Sequence, residues 1–346
     1  SFPLSAFTLL PPLSYRGARA ARAVNLIAMR TLRYVTADVF TSQPFTGNQL
    51  AVVFGAEGLS TDTLQSITRE FNYSETTFVF APESAGTTRR VRIFTPGMEV
   101  PFAGHPTIGT AHVLVATGEV QPTADALAAG EMTVVLGENV GPVPVRIRLD
   151  AGAPTWAQLT TALLPEERVE VTDRDAIAHM LSLEVTDLLD GDYAPAGVSC
   201  GLPFQMIPLA SVDAVSRARL RVEAWERVLG GTWAEWPMVF AMTDGRDTPD
   251  LAPHVRGCDV RARVFVPSGG VPEDPATGSA NAALAGYLAA RTPREGTLRW
   301  EVAQGVEMGR PSRLSIEAEK RQGGITAVRV GGASVVMAQG TMTVPD

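Results

Sequence analysis

A mixed α+β chain of two pseudo-symmetric domains is what this sequence predicts, on three observations. Its 346 residues, 45% hydrophobic and 19% charged, suffice for two cores of ordinary domain size. Strand-like alternation and helix-like periodicity interleave from Thr31 onward. Finally, His105-Pro-Thr-Ile-Gly-Thr-Ala has an ungapped counterpart 169 residues later, Asp274-Pro-Ala-Thr-Gly-Ser-Ala, sharing proline, glycine and the final alanine. That spacing is about one domain, so a duplicated unit explains it better than a short solenoid repeat. The division is expected near 152, giving domains at 29–152 and 153–333, with the last strand, 334–346, returning to the first domain.

Residues 1–28 hold no acidic residue and carry Arg16, Arg19 and Arg22 behind the apolar stretch Phe7 to Leu13. A secretory signal has the opposite order, so this segment is expected to be a leader or a non-native extension ahead of Met29. It contains no apolar run of membrane-spanning length. From Thr31 the alternation through Leu32, Tyr34 and Thr36, the turn at Gln43 to Asn48 and the apolar run Leu50 to Phe54 read as a strand pair. Ser60 or Thr61 can cap a helix with Leu64, Ile67 and Phe71 on one face. Thr76 to Phe80 then reads as a strand with Glu75 at its entrance, and Arg90 to Phe94 as another. Small and turn-forming residues from Phe102 lead into a helix expected over Thr110 to Ala116, with His105 just before it.

Net charge is −8 and the basic residues are scattered, so the stripe expected of a nucleic-acid binder is missing. The two cysteines, Cys200 and Cys258, are expected as free thiols in a reducing compartment, the cytoplasm, rather than as a disulfide. Lys320 is the only lysine. It stands in the polar run Glu-Ala-Glu-Lys-Arg-Gln, where a desolvated amine able to hold pyridoxal phosphate is not expected. The histidines and cysteines show no zinc spacing, no dinucleotide fingerprint occurs, and Ser268-Gly-Gly-Val-Pro-Glu-Asp lacks the lysine of a phosphate loop. No cofactor or metal is expected.

Two helix entries facing one cleft would offer unpaired N–H groups and partial positive charge to a small carboxylate. Gly104 and Gly278 would let a ligand approach the backbone, and Ser279 could add a hydroxyl. Each is equally readable as ordinary helix entry. Glu75 lies in the otherwise uncharged Asn72-Tyr-Ser-Glu-Thr-Thr-Phe-Val-Phe, where desolvation would raise its pKa and suit it to take and return a proton near neutral pH. Alone, it is readable as an exposed strand-end glutamate. His112, His179 and His254 read as structural, whereas His105 stands out by its glycine-proline setting and its counterpart Asp274.

At these residues the sequence resembles the PhzF-like family of phenazine-biosynthesis isomerases, which share the fold of diaminopimelate epimerase. The resemblance runs from about Thr31 to the C-terminus. It rests on Phe45-Thr-Gly-Asn-Gln-Leu-Ala-Val-Val, Ser74-Glu-Thr-Thr-Phe, Phe102-Ala-Gly-His-Pro-Thr, Glu273-Asp-Pro-Ala-Thr-Gly-Ser-Ala and Gln304-Gly-Val-Glu-Met-Gly-Arg-Pro-Ser. It implies two similar domains, each a sheet wrapped around a central helix, a site between them and a homodimer. It further implies Glu75 as the acid/base that moves a proton on a substrate such as trans-2,3-dihydro-3-hydroxyanthranilate, with His105, Asp274 and Ser279 at the other positions for binding and proton transfer. Racemases of this fold use two cysteine bases shortly before a helix-entry glycine. Aligned on Gly109 and Gly278, this sequence has Pro106 and Pro275 there, which disfavours that branch. A cysteine-independent racemase or epimerase and a non-catalytic carboxylate-binding protein are the rival readings. Arg310 is either a contact for substrate carboxylate or a ligand of turn carbonyls.

Overall fold

The computed structural model describes residues 29–243, 251–269 and 271–345. The segment 1–28, expected as a leader, lies outside the described residues, as does Asp346. The first part of the chain runs β1 (Met29–Val39), β2 (Asn48–Phe54), α1 (Thr61–Phe71), β3 (Glu75–Phe80), β4 (Arg89–Phe94), β5 (Glu99–Val100), α2 (Gly104–Ala116), α3 (Ala124–Ala129), β6 (Glu131–Glu138), β7 (Gly141–Asp150) and β8 (Ala153–Thr160). It continues through β9 (Glu166–Arg168), α4 (Arg174–Met180), β10 (Ala196–Ser199), β11 (Pro203–Pro208), α5 (Val212–Arg217), α6 (Val222–Val228), β12 (Trp236–Met242), β13 (Val260–Val266) and β14 (Val271–Asp274). The last elements are α7 (Gly278–Ala290), β15 (Gly296–Gln304), β16 (Ser312–Arg321), β17 (Gly324–Gly332) and β18 (Ser334–Pro345).

The strand pairings repeat. From β1 through β8 neighbours pair antiparallel, except that β2 runs parallel to β3 and β4 parallel to β6, while β5 hangs on β4. From β10 through β17 the order recurs: β11 parallel to β12, β13 parallel to β15, and β14 hung on β13. β18 edges β1 as β9 edges β10, and the two halves join where β8 pairs with β17. The result is one continuous ribbon curled twice, once around α2 and once around α7.

Both central helices are apolar on every side, as a helix enclosed by strands must be. In α2 every residue from Gly104 to Val115 is buried, and α7 is buried from Ala280 to Ala289. α1 is different: Ser60 caps it by accepting the Thr63 N–H, and one face, with Leu64, Ile67, Thr68 and Phe71, meets the core.

Two expectations are corrected here. The helix expected from Thr110 begins six residues earlier, at Gly104, so His105 lies inside its first turn. Pro106 is no obstacle there, because first-turn N–H groups have no intrahelical acceptor to lose. The repeat register shifts accordingly. The matched helix starts are Gly104 and Gly278, not Gly109 and Gly278, which makes Ser279 the counterpart of His105. Gly109 has its own reason, since a Cβ there would stand 2.6 Å from both Leu50 and Val39 and lift α2 off its strands.

Lys320 is also not where its polar neighbours suggested. It is 7% exposed, and its Nζ donates to the carbonyls of Ala289 at 3.0 Å and Thr292 at 2.6 Å, at the C-terminal end of α7. Strand alternation accounts for this: Ile316, Ala318 and Lys320 turn inward while Glu319 and Arg321 turn out. The ammonium thus satisfies carbonyls at the negative end of a helix, about 18 Å along α7 from Gly278 at 1.5 Å per residue. Cys200 and Cys258 are not joined in a disulfide.

Candidate active site

The N-termini of α2 and α7 meet head to head. A Cβ on Gly104 would stand 3.1 Å from Gly278 Cα and 3.3 Å from Ser279 N; one on Gly278 would stand 3.2 Å from Gly104 Cα. The space these glycines leave open is therefore filled by the opposing helix rather than held for a ligand. Neither helix has a side-chain N-cap or an acidic residue in its first turn. Two sets of first-turn N–H groups and two positive dipole ends converge at one point.

Around this junction the structure gathers Glu75, His105 and Asp274. Glu75 opens β3, His105 is the second residue of α2, and Asp274 closes β14. His105 is 3% exposed and its Nδ1 lies 3.3 Å from Glu75 Oε2. Its Nε2 lies 3.3 Å from the Gln49 carbonyl, which can only accept, so Nε2 carries the hydrogen and Nδ1 presents a lone pair toward Glu75. Burial pushes the imidazole down to about 3, so it is neutral at ordinary pH.

The two carboxyls are held differently. Asp274 Oδ1 accepts from Asn48 Nδ2 at 2.9 Å and Oδ2 from Thr277 Oγ1 at 2.6 Å. Burial raises Asp274 above its ordinary value of 3.8, and these donors, which favour the carboxylate, offset part of that rise. Glu75 Oε2 is buried without a hydrogen-bond donor among the described residues. Burial first, and the charge of Asp274 second, hold Glu75 well above the usual carboxylate range. Burial raises both neighbouring carboxyls, but only Asp274 has donors to hold its charge, so Glu75 is the better placed acid and Asp274 the better placed anion.

The sequence reading missed Asn48, which opens β2 beside β3. Its Nδ2 faces Asp274 Oδ1, the Ala276 carbonyl at 3.0 Å and His105 Nδ1 at 3.3 Å, while its Oδ1 accepts from Ser74 Oγ at 2.9 Å. Thr277 and Gln304 were missed too. Gln304 Nε2 donates to the Asp274 carbonyl at 2.8 Å and to Thr277 Oγ1 at 3.0 Å. All three lay within the segments that carry the family resemblance, and that was the available signal. Ser279, half-buried, follows Gly278 in the first turn of α7.

Arg310 belongs to the protein rather than to a ligand. It donates to Gly47 O at 3.0 Å, Thr46 O at 2.8 Å and Asp38 Oδ1 at 2.6 Å. The other Asp38 oxygen accepts the N–H of Phe45 at 2.7 Å, a residue with φ of 66°. Arg310 and Asp38 thus fix the tight loop that delivers Asn48. Glu273, next to Asp274, is held by buried Arg263 through two 2.8 Å contacts.

A buried acid facing a neutral imidazole beside converging helix ends is equipped for proton transfer on a small anion, the chemistry of isomerases and epimerases. The comparisons agree. The phenazine biosynthesis-like protein family, PhzC-PhzF, matches residues 37–340, and the chain belongs to it. It is 38% identical over 317 residues to an uncharacterised isomerase of Mesorhizobium japonicum, covering 91% of this chain and 99% of that one. It is 34% identical over 312 residues to the trans-2,3-dihydro-3-hydroxyanthranilate isomerase of Pseudomonas aeruginosa, covering 89% and 98%. Among solved structures, a PhzF family protein of Bacillus anthracis shares the fold with a TM-score of 0.77 at 24% identity, covering 90% and 99%. This protein is an isomerase of that family.

Proposed function

We propose that the protein moves a proton between two carbons of a small cyclic or unsaturated carboxylate without a cofactor, with the compound that names the Pseudomonas aeruginosa relative, trans-2,3-dihydro-3-hydroxyanthranilate, as the candidate substrate. The observation that carries this reading is the pairing of Glu75, raised and without a hydrogen-bond donor, with the lone pair of His105 Nδ1. Ionised, Glu75 is a strong carboxylate base; protonated, it returns the proton to a second carbon without a change of group. His105 accepts from the acid form and fixes its direction. Asp274 remains an anion under Asn48 and Thr277, which keeps the Glu75 proton mobile rather than lost to solvent. Since Gly104 and Gly278 pack on each other, the substrate carboxylate would sit beside that contact, on first-turn N–H groups of the two helices and the Ser279 hydroxyl. A homodimer in the cytoplasm completes the reading, and two cysteines without a disulfide suit that compartment.

The test is conversion of trans-2,3-dihydro-3-hydroxyanthranilate in deuterated water, with Glu75→Gln as control. Turnover with deuterium incorporation that vanishes in the variant supports both substrate and shuttle. Full activity in Glu75→Gln would overturn the shuttle. Deuterium entering a stereocentre without double-bond migration would point to an epimerase instead.

A further inference from the structure

The two halves place a hydrogen-bonded pair at the same point. In the second, Asn281, fourth residue of α7, donates through Nδ2 to Oε1 of Gln304, the last residue of β15, at 2.7 Å. In the first, Thr107, fourth residue of α2, donates through Oγ1 to Oε1 of Glu138, the last residue of β6, at 2.7 Å. β6 and β15 hold the same place in the repeated strand order, so Glu138 is the counterpart of Gln304.

Gln304 spends its other group on the site: Nε2 donates to the carbonyl of Asp274 and to Thr277 Oγ1. Glu138, 5% exposed, has a buried Oε2 with no partner among the described residues. A protonated carboxyl matches an amide in hydrogen bonding, with one carbonyl acceptor and one donor. Glu138 has the chemistry to remain in that form. Burial pushes it up to about 8, against the hydrogen bond from Thr107 and the charge of Arg90 on β4. Arg90 is engaged elsewhere, on the carbonyls of Val91 and Gly137, on Asn139 and on Glu83. The other acid at this sheet end, Glu99, is tied to Arg92 and Asn139. From α2 the group facing Glu138 is Thr107, whose single hydroxyl hydrogen is shared between Glu138 Oε1 and the Ala103 carbonyl, each 2.7 Å away.

We propose that Glu138 is a positioning residue of the active site, which as a neutral acid holds the first turn of α2, and so His105, as Gln304 holds the segment carrying Asp274. Only its activity readout rests on the isomerase reading. Glu138→Gln supplies the same acceptor and donor and cannot ionise; Glu138→Leu supplies neither. Three readings separate the cases: kcat and KM against pH, thermal stability against pH, and the ¹⁵N resonances of His105.

In the unmodified protein stability is expected to fall from about pH 4.5 to about 8 and level off above, while kcat falls as pH rises through about 8. Glu138→Gln should keep the neutral-pH kcat and the His105 resonances and lose that alkaline decline. Glu138→Leu should lower kcat roughly tenfold with KM nearly unchanged and shift the His105 resonances. An alkaline decline that persists in Glu138→Gln, or a Glu138→Leu protein with unaltered kcat and His105 resonances, would overturn the proposal. If trans-2,3-dihydro-3-hydroxyanthranilate is not turned over at all, the resonance and stability readings still decide it.

Discussion

Asn48 Nδ2 lies 2.9 Å from Asp274 Oδ1, a hydrogen bond spanning 226 residues of sequence that ties the first half of the chain to the second inside the site. The same amide faces His105 Nδ1, so one side chain sets the relative placement of the proposed anion and imidazole. Asn48→Ala removes that placement and leaves Asp274 Oδ1 without its donor. The expected result is a loss of about 100-fold in kcat/KM and about 1–3 kcal/mol in stability. Steady-state kinetics and urea melts check both, and wild-type kcat/KM would show the tie to be dispensable.

His105 should remain neutral wherever the protein is folded. Its imidazole is held down to about 3, against an ordinary value of 6.5, so the unfolded chain takes up a proton that the native protein refuses. Its stability contribution is therefore present above 6.5 and lost as pH falls toward 3. Imidazole ¹⁵N spectra should show the Nε2–H tautomer without titration from neutral pH to about pH 4. A ring that protonates near 6.5 contradicts the geometry.

For Glu75 the sign is opposite. A base must be ionised to act, and Glu75 is held well above its ordinary 4.5 by burial and by Asp274. The acid limb of kcat/KM should therefore lie well above 4.5, and Asp274→Asn, by removing the neighbouring charge, should move it downward in whatever activity remains. A rate that stays level down to 4.5 would mean that Glu75 is not the group being titrated.

Gly104→Ala and Gly278→Ala should each cost about 1–3 kcal/mol, because either methyl presses on the opposing helix end. The double variant should cost less than the sum, since helices already parted by one methyl have room for the second. Denaturant melts of the three proteins measure this coupling directly, and simple additivity would argue that the helix ends do not bear on one another.

Lys320→Met keeps the side chain's volume and deletes its donor, leaving the Ala289 and Thr292 carbonyls without it. A loss of about 1–3 kcal/mol with kcat unchanged is expected, because this helix end lies far from the junction. A matching fall in kcat would instead show the two ends of α7 to be coupled.

The sequence shows clearly whatever is local and periodic: the strand pair around the Gln43 to Asn48 turn, the Ser60 cap, and the strand that Glu75 opens. It shows poorly whatever depends on a distant partner. The motif match of His105 with Asp274 sets the repeat five residues away from the register of the helix starts, Gly104 and Gly278, because local identity does not show where each helix begins. Lys320 reads as exposed because its neighbours are charged, whereas strand alternation sends each to an opposite face. Asn48 carries no local sign of its role, since its partners Asp274 and Ala276 come from the other half of the chain. Glu138 and Gln304 differ in residue type and in their sequence neighbours, so their correspondence shows only in the strand order and the paired hydrogen bonds to α2 and α7.

The contact between Gly104 and Gly278 also restrains how this chain can change over generations. What each added methyl would meet is backbone, Gly278 Cα and Ser279 N on one side, Gly104 Cα and His105 N on the other. A clash with a side chain can be relieved by trimming that side chain elsewhere in the gene, but backbone cannot be trimmed. With two helix ends set against each other, neither half is free to change at this point, however much the remainder of the two halves differs.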